Sequence, residues 1–341
     1  MSEPGLHHGG QLDAAIAEHG GVRAGWLDLS TGINPRPWPV PEIPGESWSR
    51  LPDAGATEQL LAAARRHYAV PSSLEVFPAP GTQALIEALP RILPGETTTV
   101  IAPQNGTYGE HAYCCTKAGR TVRIVEQPQL VDSKERLAVI VRPNNPDGSV
   151  AELCEILALH ERLSANDGWM IIDEAFCDTA PDTSLIGEEL ERAIILRSFG
   201  KFFGLAGLRL GSAICPAGIA EKLRNWFGPW AVSGPALSIG TEALTDEAWI
   251  ETTRQRLQSD CARLADLLGR SGFAIAGEGG LFVLGRREDA GEWYQSLCRA
   301  RILTRAFEHD PALLRFGLPG DEERLARLEK ALGEIASKAA R

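Results

Sequence analysis

The middle of the chain contains the stretch S-F-G-K-F-F-G-L-A-G-L-R-L-G, residues 198–211. It follows an apolar run at 194–196, which predicts a buried strand, and it sets Lys201 among small and apolar residues. Burial disfavours the charged form of an amine, and Schiff-base formation needs the neutral form. The hydroxyl of Ser198 and the guanidinium of Arg209 suit a phosphate dianion. The stretch therefore predicts a lysine nucleophile beside an anion site.

Short apolar runs alternate with helical patterns on both sides of this stretch. The runs lie at 74–77, 100–102, 122–125, 137–141 and 170–172, and the helical patterns lie at 108–118 and 151–163. Continuous apolar runs are typical of strands buried on both faces, and helices between them imply right-handed crossovers in a mostly parallel sheet. The alternation predicts a large wound α/β domain over residues 51–245.

The pattern changes from residue 246 onward. A long amphipathic helix ends near Gly272, and two strands follow at 273–276 and 281–284. Helices are then predicted around 291–300 and 321–336. Residues 246–341 therefore predict a smaller α/β C-terminal domain.

The first fifty residues are rich in proline, which excludes regular helix or a central strand where the prolines cluster. We expect an N-terminal arm over residues 1–50. Its three tryptophans, Trp26, Trp38 and Trp48, are costly to leave in water. They favour packing of the arm against the body of the protein or against a partner subunit, and hence a homodimer.

Composition narrows the class of function. The chain has 341 residues, 44% of them hydrophobic, so more than one domain is expected. A net charge of -11 and a pI near 5.2 argue against nucleic acid or an anionic membrane as partner, and favour a small-molecule substrate. The sequence shows no cationic leader and no apolar run of spanning length, so we expect a cytoplasmic protein.

The seven cysteines predict neither a disulfide framework nor a metal site. Their number is odd, and no CxxC pair occurs. Cys114 and Cys115 are adjacent, but a bridge between neighbours is strained and small buried cysteines are common. Ordinary reduced thiols are expected.

The lysine stretch resembles the cofactor segment of class I and II aminotransferases, which are pyridoxal-phosphate (PLP) enzymes of the aspartate-aminotransferase fold. In that family S-x-x-K, a glycine-rich turn and G-x-R-x-G mark the cofactor lysine. Ser198, Lys201 and Arg209 fall on this pattern without gaps, and the likeness extends over nearly the whole chain. The resemblance implies a catalytic Lys201 that carries PLP as a Schiff base.

Gly81-Thr82-Gln83 opens a helical pattern after the run at 74–77. The backbone N–H groups at such a helix start lie at the positive end of the helix dipole and suit a phosphate. A plain helix cap is the alternative. The resemblance implies that Gly81, Thr82 and Gln83 bind the cofactor.

Three further residues match the family in order along the chain. Tyr108 resembles the aromatic that stacks on the pyridine ring, and Asn145, in N-N-P-D-G, resembles the asparagine that bonds the cofactor's phenolic oxygen. A simple β-turn would use the same residue types as N-N-P-D-G. Asp173 ends the run at 170–172, and the resemblance assigns it to the pyridine nitrogen, which a carboxylate keeps protonated.

Arg315 lies within the apolar run L-L-R-F-G-L. A buried cation is costly unless an anion pairs with it. The resemblance assigns Arg315 to the substrate α-carboxylate, with an internal ion pair as the alternative. Arg142 precedes the N-N-P-D-G turn and is expected to be a solvated surface residue, with contact to a phosphorylated substrate as the alternative.

The N-terminal segments are similar to those of the L-threonine-O-3-phosphate decarboxylases of cobalamin synthesis, a group related to histidinol-phosphate aminotransferases. H-G-G at 8–10 and D-L-S-T-G-I-N-P at 28–35 carry this likeness. It implies substrate binding by His8, Ile33, Asn145 and Arg315, with His8 at the substrate phosphate. A disordered tail is the alternative for His8. Leu51-Pro52 stands where many relatives have Tyr-Pro, so that tyrosine's phosphate contact is expected to be missing.

The resemblance thus implies decarboxylation of a phosphorylated amino acid, L-threonine O-3-phosphate, to (R)-1-amino-2-propanol O-phosphate. Two alternatives stay open. A PLP-dependent aminotransferase, such as one for histidinol phosphate, would use the same lysine. The second alternative is a PLP-fold subunit that chiefly binds another protein of the cobinamide pathway. The chain retains the expected catalytic and binding residues, which argues against this alternative; they are Asn145, Asp173, Lys201 and Arg315.

Overall fold

The computed structural model describes residues 9–339 of the chain. These residues form two compact units. One comprises 9–36, Pro146–Ser149 and 253–339, and we call it the terminal unit; the other comprises Pro37–Asn145 and Val150–Thr252, and we call it the central unit. The division into an arm and two domains at residues 50 and 245 stays a prediction.

The helices and strands alternate through most of the chain. The α-helices of the described residues are α1 Leu12–His19, α2 Glu46–Ser49, α3 Ala54–His67, α4 Thr82–Ile92, α5 Glu110–Lys117, α6 Leu153–Ser164, α7 Ala217–Phe227, α8 Gly234–Thr245, α9 Glu247–Arg270, α10 Ala290–Arg299 and α11 Glu322–Ala339. The strands are β1 Leu27–Asp28, β2 Glu75–Ala79, β3 Thr97–Ile101, β4 Thr121–Val125, β5 Leu137–Val141, β6 Trp169–Asp173, β7 Ala193–Ser198, β8 Gly211–Cys215, β9 Ala274–Glu278, β10 Phe282–Arg286, β11 Ile302–Leu303, β12 Arg305–Ala306 and β13 Leu313–Gly317.

The central unit is built on a seven-stranded sheet in the order β2-β8-β7-β6-β5-β3-β4. β8 pairs antiparallel with β2 and with β7, and the other neighbours are parallel. The predicted mostly parallel wound α/β fold is confirmed. Because parallel strands end at one edge of a sheet, the segments that follow β5, β6 and β7 meet there.

Helices cover the sheet because the side chains of its strands are apolar. Every residue of β5 is buried, which accounts for its uninterrupted apolar sequence. On one face, Leu85 and Leu89 of α4 and Leu223 of α7 pack with Ile171 of β6 in a single core. This packing fixes α4, and with it the start of α4, against the strands.

The terminal unit contains a four-stranded antiparallel sheet in the order β12-β13-β10-β9. β1 pairs in parallel with β11, and Leu12 of α1, Trp26 and Leu303 share a small core. Antiparallel neighbours bring residues that are distant in sequence side by side on one face of the sheet.

The proline-rich segment has no helix or strand between residues 35 and 44. Trp26 and Trp38 are buried, and the indole Nε1 of Trp38 donates to Asp246 Oδ2 at 3.0 Å. Trp48, in contrast, is 70% exposed. Two of the three tryptophans therefore pack as expected, and the third presents an apolar ring to solvent.

The cysteines are all free, and Cys114 and Cys115 are buried on α5. Among residues 9–339, we find no helix with the length and apolar character needed to cross a membrane.

Candidate active site

A pocket opens in the central unit where β5, β6 and β7 end. It is lined by Thr82, Gln83, Tyr108, Val141, Asn145, Asp173, Ala175, Phe176, Ser198, Gly200, Lys201, Ala206 and Arg209. The sequence motifs spread over more than a hundred residues are therefore brought to one place. Of the predicted cofactor residues, only Gly81 is not in the lining, and it lies directly before Thr82.

Two glycines shape one end of this pocket. Gly81 is the N-cap of α4 and has φ +86°, a conformation that side chains rarely adopt. A Cβ on Gly81 would lie 2.5 Å from Arg209 Nη2, and a Cβ on Gly211 would lie 2.7 Å from the backbone nitrogen of Thr82. Glycine at both positions therefore lets the guanidinium and β8 approach the start of α4.

The donors at this end suit a phosphate dianion. Within residues 9–339, no side chain caps the N-terminus of α4, so its first N–H groups face the pocket end. The hydroxyl of Ser198 lies beside them in the lining, with the guanidinium of Arg209. The side-chain amide of Gln83 donates to Glu110, so Gln83 is better placed to offer its backbone N–H. The PLP phosphate fits this set of neutral and cationic donors.

Lys201 is half-buried after the turn that follows β7. Its Nζ lies 5.3 Å from the ring centroid of Phe176, and its carbonyl accepts from Gly204 N at 3.1 Å. The amine thus faces an aromatic ring in a partly desolvated pocket. This is the apolar setting that the sequence predicted for a lysine that reacts with an aldehyde.

Asp173 is 3% exposed at the end of β6. Its Oδ2 lies 2.8 Å from Nε2 of the buried His111, and its Oδ1 accepts from Ala175 N at 3.0 Å. A carboxylate only accepts hydrogen bonds, so the imidazole is the donor. His111 was not predicted from the sequence, although it lies three residues after Tyr108.

Asn144, the residue before Asn145, holds the loop that carries Tyr108. Asn144 Nδ2 donates to the carbonyl of Gly106 at 3.0 Å, and Thr107 Oγ1 donates to Asn144 Oδ1 at 2.7 Å. Burial, and then the charges of Glu110 and Asp173, raise the pKa of Tyr108, so its phenol stays protonated. Asn144 is a supporting residue that the turn motif did not reveal.

The opposite face of β6 and β7 carries a buried charge cluster. Successive residues of an extended chain point to opposite faces, so Arg197 of β7 and Glu174, directly after β6, turn away from the pocket that Asp173 and Ser198 line. Arg197 Nη2 lies 3.2 Å from Glu174 Oε2, and Nη1 lies 3.5 Å from Asp178 Oδ1. The two faces of the same strands thus differ completely in chemistry.

The expectation for Arg142 is wrong. Its side chain is buried in the central unit, where Nε donates to the carbonyl of Ala151 at 3.1 Å and Nη1 to that of Thr183. Backbone carbonyls replace water as its partners, so it supports a loop and is not a surface cation.

Leu51-Pro52, which stands where many relatives have Tyr-Pro, is followed by the start of α3. Asp53 accepts from Ala56 N at 2.9 Å and caps this helix.

Arg315 lies in β13 of the terminal unit and is 6% exposed. Nη2 donates to the carbonyl of Ser30 at 3.0 Å, and the guanidinium carbon lies 4.8 Å from the ring centroid of Phe282. Burial, and then the charge of Arg305, lower its pKa to about 9. The surroundings therefore disfavour the cation, and an anion would stabilise it.

Arg305 was not predicted, yet it is the direct cross-strand neighbour of Arg315. Like charges placed directly opposite one another destabilise a sheet. Two adjacent cations on one face therefore favour a ligand with more than one anionic group. Only the pairing of β12 with β13 brings them together.

Ile33 and His8 were the less specific predictions. Ile33 is half-buried in the loop after β1, and the next residue, Asn34, accepts from Arg256 Nη2 at 3.1 Å. His8 lies outside the described residues. Gly9 and Gly10, which follow it, are packed against Ser30.

Comparison with known proteins agrees with this geometry. The family model of aminotransferase class I and II matches residues 47–332. A threonine-phosphate decarboxylase of Pseudomonas aeruginosa is 42% identical over 330 residues, covering 96% of this chain and 97% of the relative. A threonine-phosphate decarboxylase of a Sinorhizobium species is 39% identical over 337 residues, covering 98% and 99%.

A solved structure is similar throughout. The histidinol-phosphate aminotransferase of Sinorhizobium meliloti, in complex with pyridoxal-5'-phosphate, superimposes with a TM-score of 0.79 at 19% identity, covering 99% of this chain and 96% of that one. The chain belongs to the aminotransferase class I and II family.

Proposed function

We propose that this chain is a PLP-dependent decarboxylase of L-threonine O-3-phosphate that forms (R)-1-amino-2-propanol O-phosphate in cobalamin biosynthesis. The observation that carries the choice of reaction is the identity of about 40% with two threonine-phosphate decarboxylases over nearly the whole chain. The pocket around Lys201 and Asp173 supports it, because it holds an amine and a carboxylate between a phosphate-binding end and an aromatic wall.

Different residues of the pocket would hold different parts of PLP. The first N–H groups of α4, with Ser198 and Arg209, would bind its phosphate, and Tyr108 would contact its ring. Asp173, which His111 holds in place, would keep the ring nitrogen protonated. Asn145 would donate to the phenolic oxygen. When bound, PLP supplies an electron-accepting ring that stabilises negative charge at the substrate Cα.

Lys201 acts twice. Its amine would hold PLP until the substrate arrives and would afterwards carry a proton. The bond from the substrate Cα to the carboxylate breaks, CO2 leaves, and the electron pair stays on the Cα side. The free Lys201 amine would take up a proton from water and pass it to Cα, so the reaction consumes one proton and needs no oxidant.

The substrate is recognised by its two anionic groups. Arg315 binds the carboxylate, and the neighbouring Arg305 supplies a second cation for the phosphate. An arginine makes paired, charge-assisted bonds with either group. Unphosphorylated threonine would lack the anionic group that Arg305 is proposed to bind, and threonine is therefore a poor substrate.

The active unit is a homodimer in the cytoplasm. Trp48 and Leu51 are the most exposed large apolar side chains of the central unit, at 70% and 67%, and a second copy of the chain covers them. The free thiols of all seven cysteines suit a reducing compartment.

Product analysis tests the reaction. The protein is incubated with PLP and L-threonine O-3-phosphate, and released CO2 and the amino-alcohol phosphate are measured by mass spectrometry. Addition of 2-oxoglutarate should change neither yield. Formation of glutamate with loss of the substrate amine would establish an aminotransferase instead. Absence of both reactions, with a second protein recovered on purification, would favour a binding subunit.

A further inference from the structure

Ser30 is a buried residue of the loop after β1 that takes no part in the reaction proposed above. Its carbonyl oxygen accepts from Arg315 Nη2 at 3.0 Å. Its hydroxyl accepts from Gly10 N at 2.7 Å and donates to Asp28 Oδ1 at 2.6 Å. One residue thus links the buried arginine, the N-terminal glycines and the end of β1.

Asp28 fixes Ser30 in a single conformation. The same oxygen that accepts from the Ser30 hydroxyl also accepts from the Ser30 backbone nitrogen at 2.9 Å. Bonds to a carboxylate are stronger than bonds between neutral groups. Because the hydroxyl hydrogen is directed to Asp28, the oxygen lone pairs are free to receive the N–H of Gly10.

Glycines enclose the segment around Ser30 on two sides. A Cβ on Gly9 would lie 2.2 Å from the carbonyl oxygen of Ser30, and a Cβ on Gly317 of β13 would lie 2.3 Å from the carbonyl oxygen of Thr31. Backbone therefore packs against backbone where no side chain fits. The bond from Ser30 to the guanidinium is covered, and a covered hydrogen bond is electrostatically stronger than one in water.

We propose that Asp28 and Ser30 are positioning residues for the substrate, which hold the guanidinium of Arg315 in the orientation that receives the carboxylate and keep Gly9-Gly10 beside it. This inference rests on the role of Arg315 in the proposed function. A long cationic side chain loses less conformational freedom on binding an anion when one of its N–H groups is already held. Asp28 and Ser30 therefore act on substrate affinity and not on the breaking of the bond at Cα.

Three variants separate this role from general stability: Ser30→Ala, Asp28→Ala and Asp28→Asn. The two alanine variants should raise KM for L-threonine O-3-phosphate roughly three- to tenfold, the effect of losing one modest hydrogen bond, with kcat within about twofold of wild type. Visible PLP absorbance should stay unchanged. Asparagine keeps the accepting oxygen, so Asp28→Asn should restore most of the affinity.

A direct binding measurement excludes kinetic complications. Threonine phosphate is titrated calorimetrically into Lys201→Ala, alone and combined with each variant, and Kd should rise by the same factors as KM. Gly9→Ala should also weaken binding, because its Cβ collides with the Ser30 carbonyl. Gly291→Ala on α10 is the matched control, since a Cβ there meets nothing within 4 Å.

Hydrogen exchange gives a readout that needs no substrate. In Ser30→Ala and Asp28→Ala the peptide containing Gly10 should exchange faster, and in Asp28→Asn it should not. Faster exchange with unchanged Kd would overturn the positioning role, because Ser30 would then only hold the backbone. An equal fall of kcat and PLP content would overturn it too. If wild type releases no CO2 but the Kd and exchange effects appear, the proposed function fails while the positioning stands.

Discussion

His111 Nε2 and Asp173 Oδ2 lie 2.8 Å apart, and both side chains are buried. The second carboxylate oxygen accepts from Ala175 N at 3.0 Å, so the group is held from two directions. The carboxylate is thereby aimed into the pocket. The role proposed for Asp173, to keep the ring nitrogen of PLP protonated, requires a fixed carboxylate, and the hydrogen bond with His111 limits its rotation.

His111→Ala should lower kcat/KM for threonine phosphate roughly 10- to 150-fold, because loss of a hydrogen bond to a charged group costs about 1.5–3 kcal/mol. PLP affinity should fall as well, measured by absorbance during dialysis. His160→Ala on α6, away from the pocket lining, is the control. Wild-type kinetics in His111→Ala would mean that Asp173 needs no support.

Lys201→Ala should lose the visible absorbance that lysine-bound PLP gives, together with CO2 release, because alanine has no amine to join to the aldehyde. Lys222→Ala, an exposed lysine of α7, should keep both. A spectrum unchanged by removal of Lys201 would assign the cofactor to another lysine.

Asn144→Ala should weaken PLP binding by about tenfold, since two hydrogen bonds that hold the Tyr108 loop disappear at about 0.5–1.5 kcal/mol each and part of that loss is recovered by water. Asn166→Ala, an exposed asparagine with two backbone partners, is its control. Equal PLP dissociation constants for the two variants would contradict a role of Asn144 in placing the ring.

Arg305→Met should have opposite effects on stability and binding. Removing a like charge beside Arg315 should raise the free energy of unfolding of the substrate-free protein, measured by urea titration. KM for threonine phosphate should rise at least tenfold. Arg299→Met, on the exposed end of α10, should change neither. Unaltered KM would remove Arg305 from substrate recognition.

Trp48→Gln should shift the protein from dimer toward monomer, with a dimer dissociation constant raised roughly 30-fold, because a buried tryptophan at an interface commonly contributes about 2 kcal/mol or more. Sedimentation at assay concentration measures the shift. Val22→Gln is the control, as Val22 is 69% exposed in the terminal unit. A wild-type protein that is monomeric and fully active would exclude the dimer.

Local sequence patterns predicted the wound α/β fold because most strands of its sheet are buried runs of five or six residues, with the exposed β4 as the exception. The apolar run at 137–141 coincides with β5 to the residue. The patterns did not reveal β8, whose antiparallel pairing with β2 and β7 depends on contacts between distant segments. The direction of a strand is a property of the assembled sheet.

Motifs predicted Lys201 and Asp173 as site residues, and both line one pocket; their roles in the reaction stay a prediction. The supporting residues were missed for physical reasons. His111 and Asn144 act through bonds to other protein groups, and Arg305 meets Arg315 only through strand pairing. Arg142 was wrong because carbonyl oxygens of folded loops, which no motif encodes, can solvate a buried cation.

The two chemically different faces of β6 and β7 make the site intolerant of a change in strand length. Asp173 and Glu174 are consecutive, as are Arg197 and Ser198, and each pair divides between the pocket and the buried ion pair. Deleting one residue from either strand would exchange the faces, turning an arginine toward the phosphate-binding end or a glutamate toward the ring. We therefore expect changes of length to be tolerated in the loops, whereas an insertion or deletion within β6 or β7 should disrupt both folding and cofactor binding.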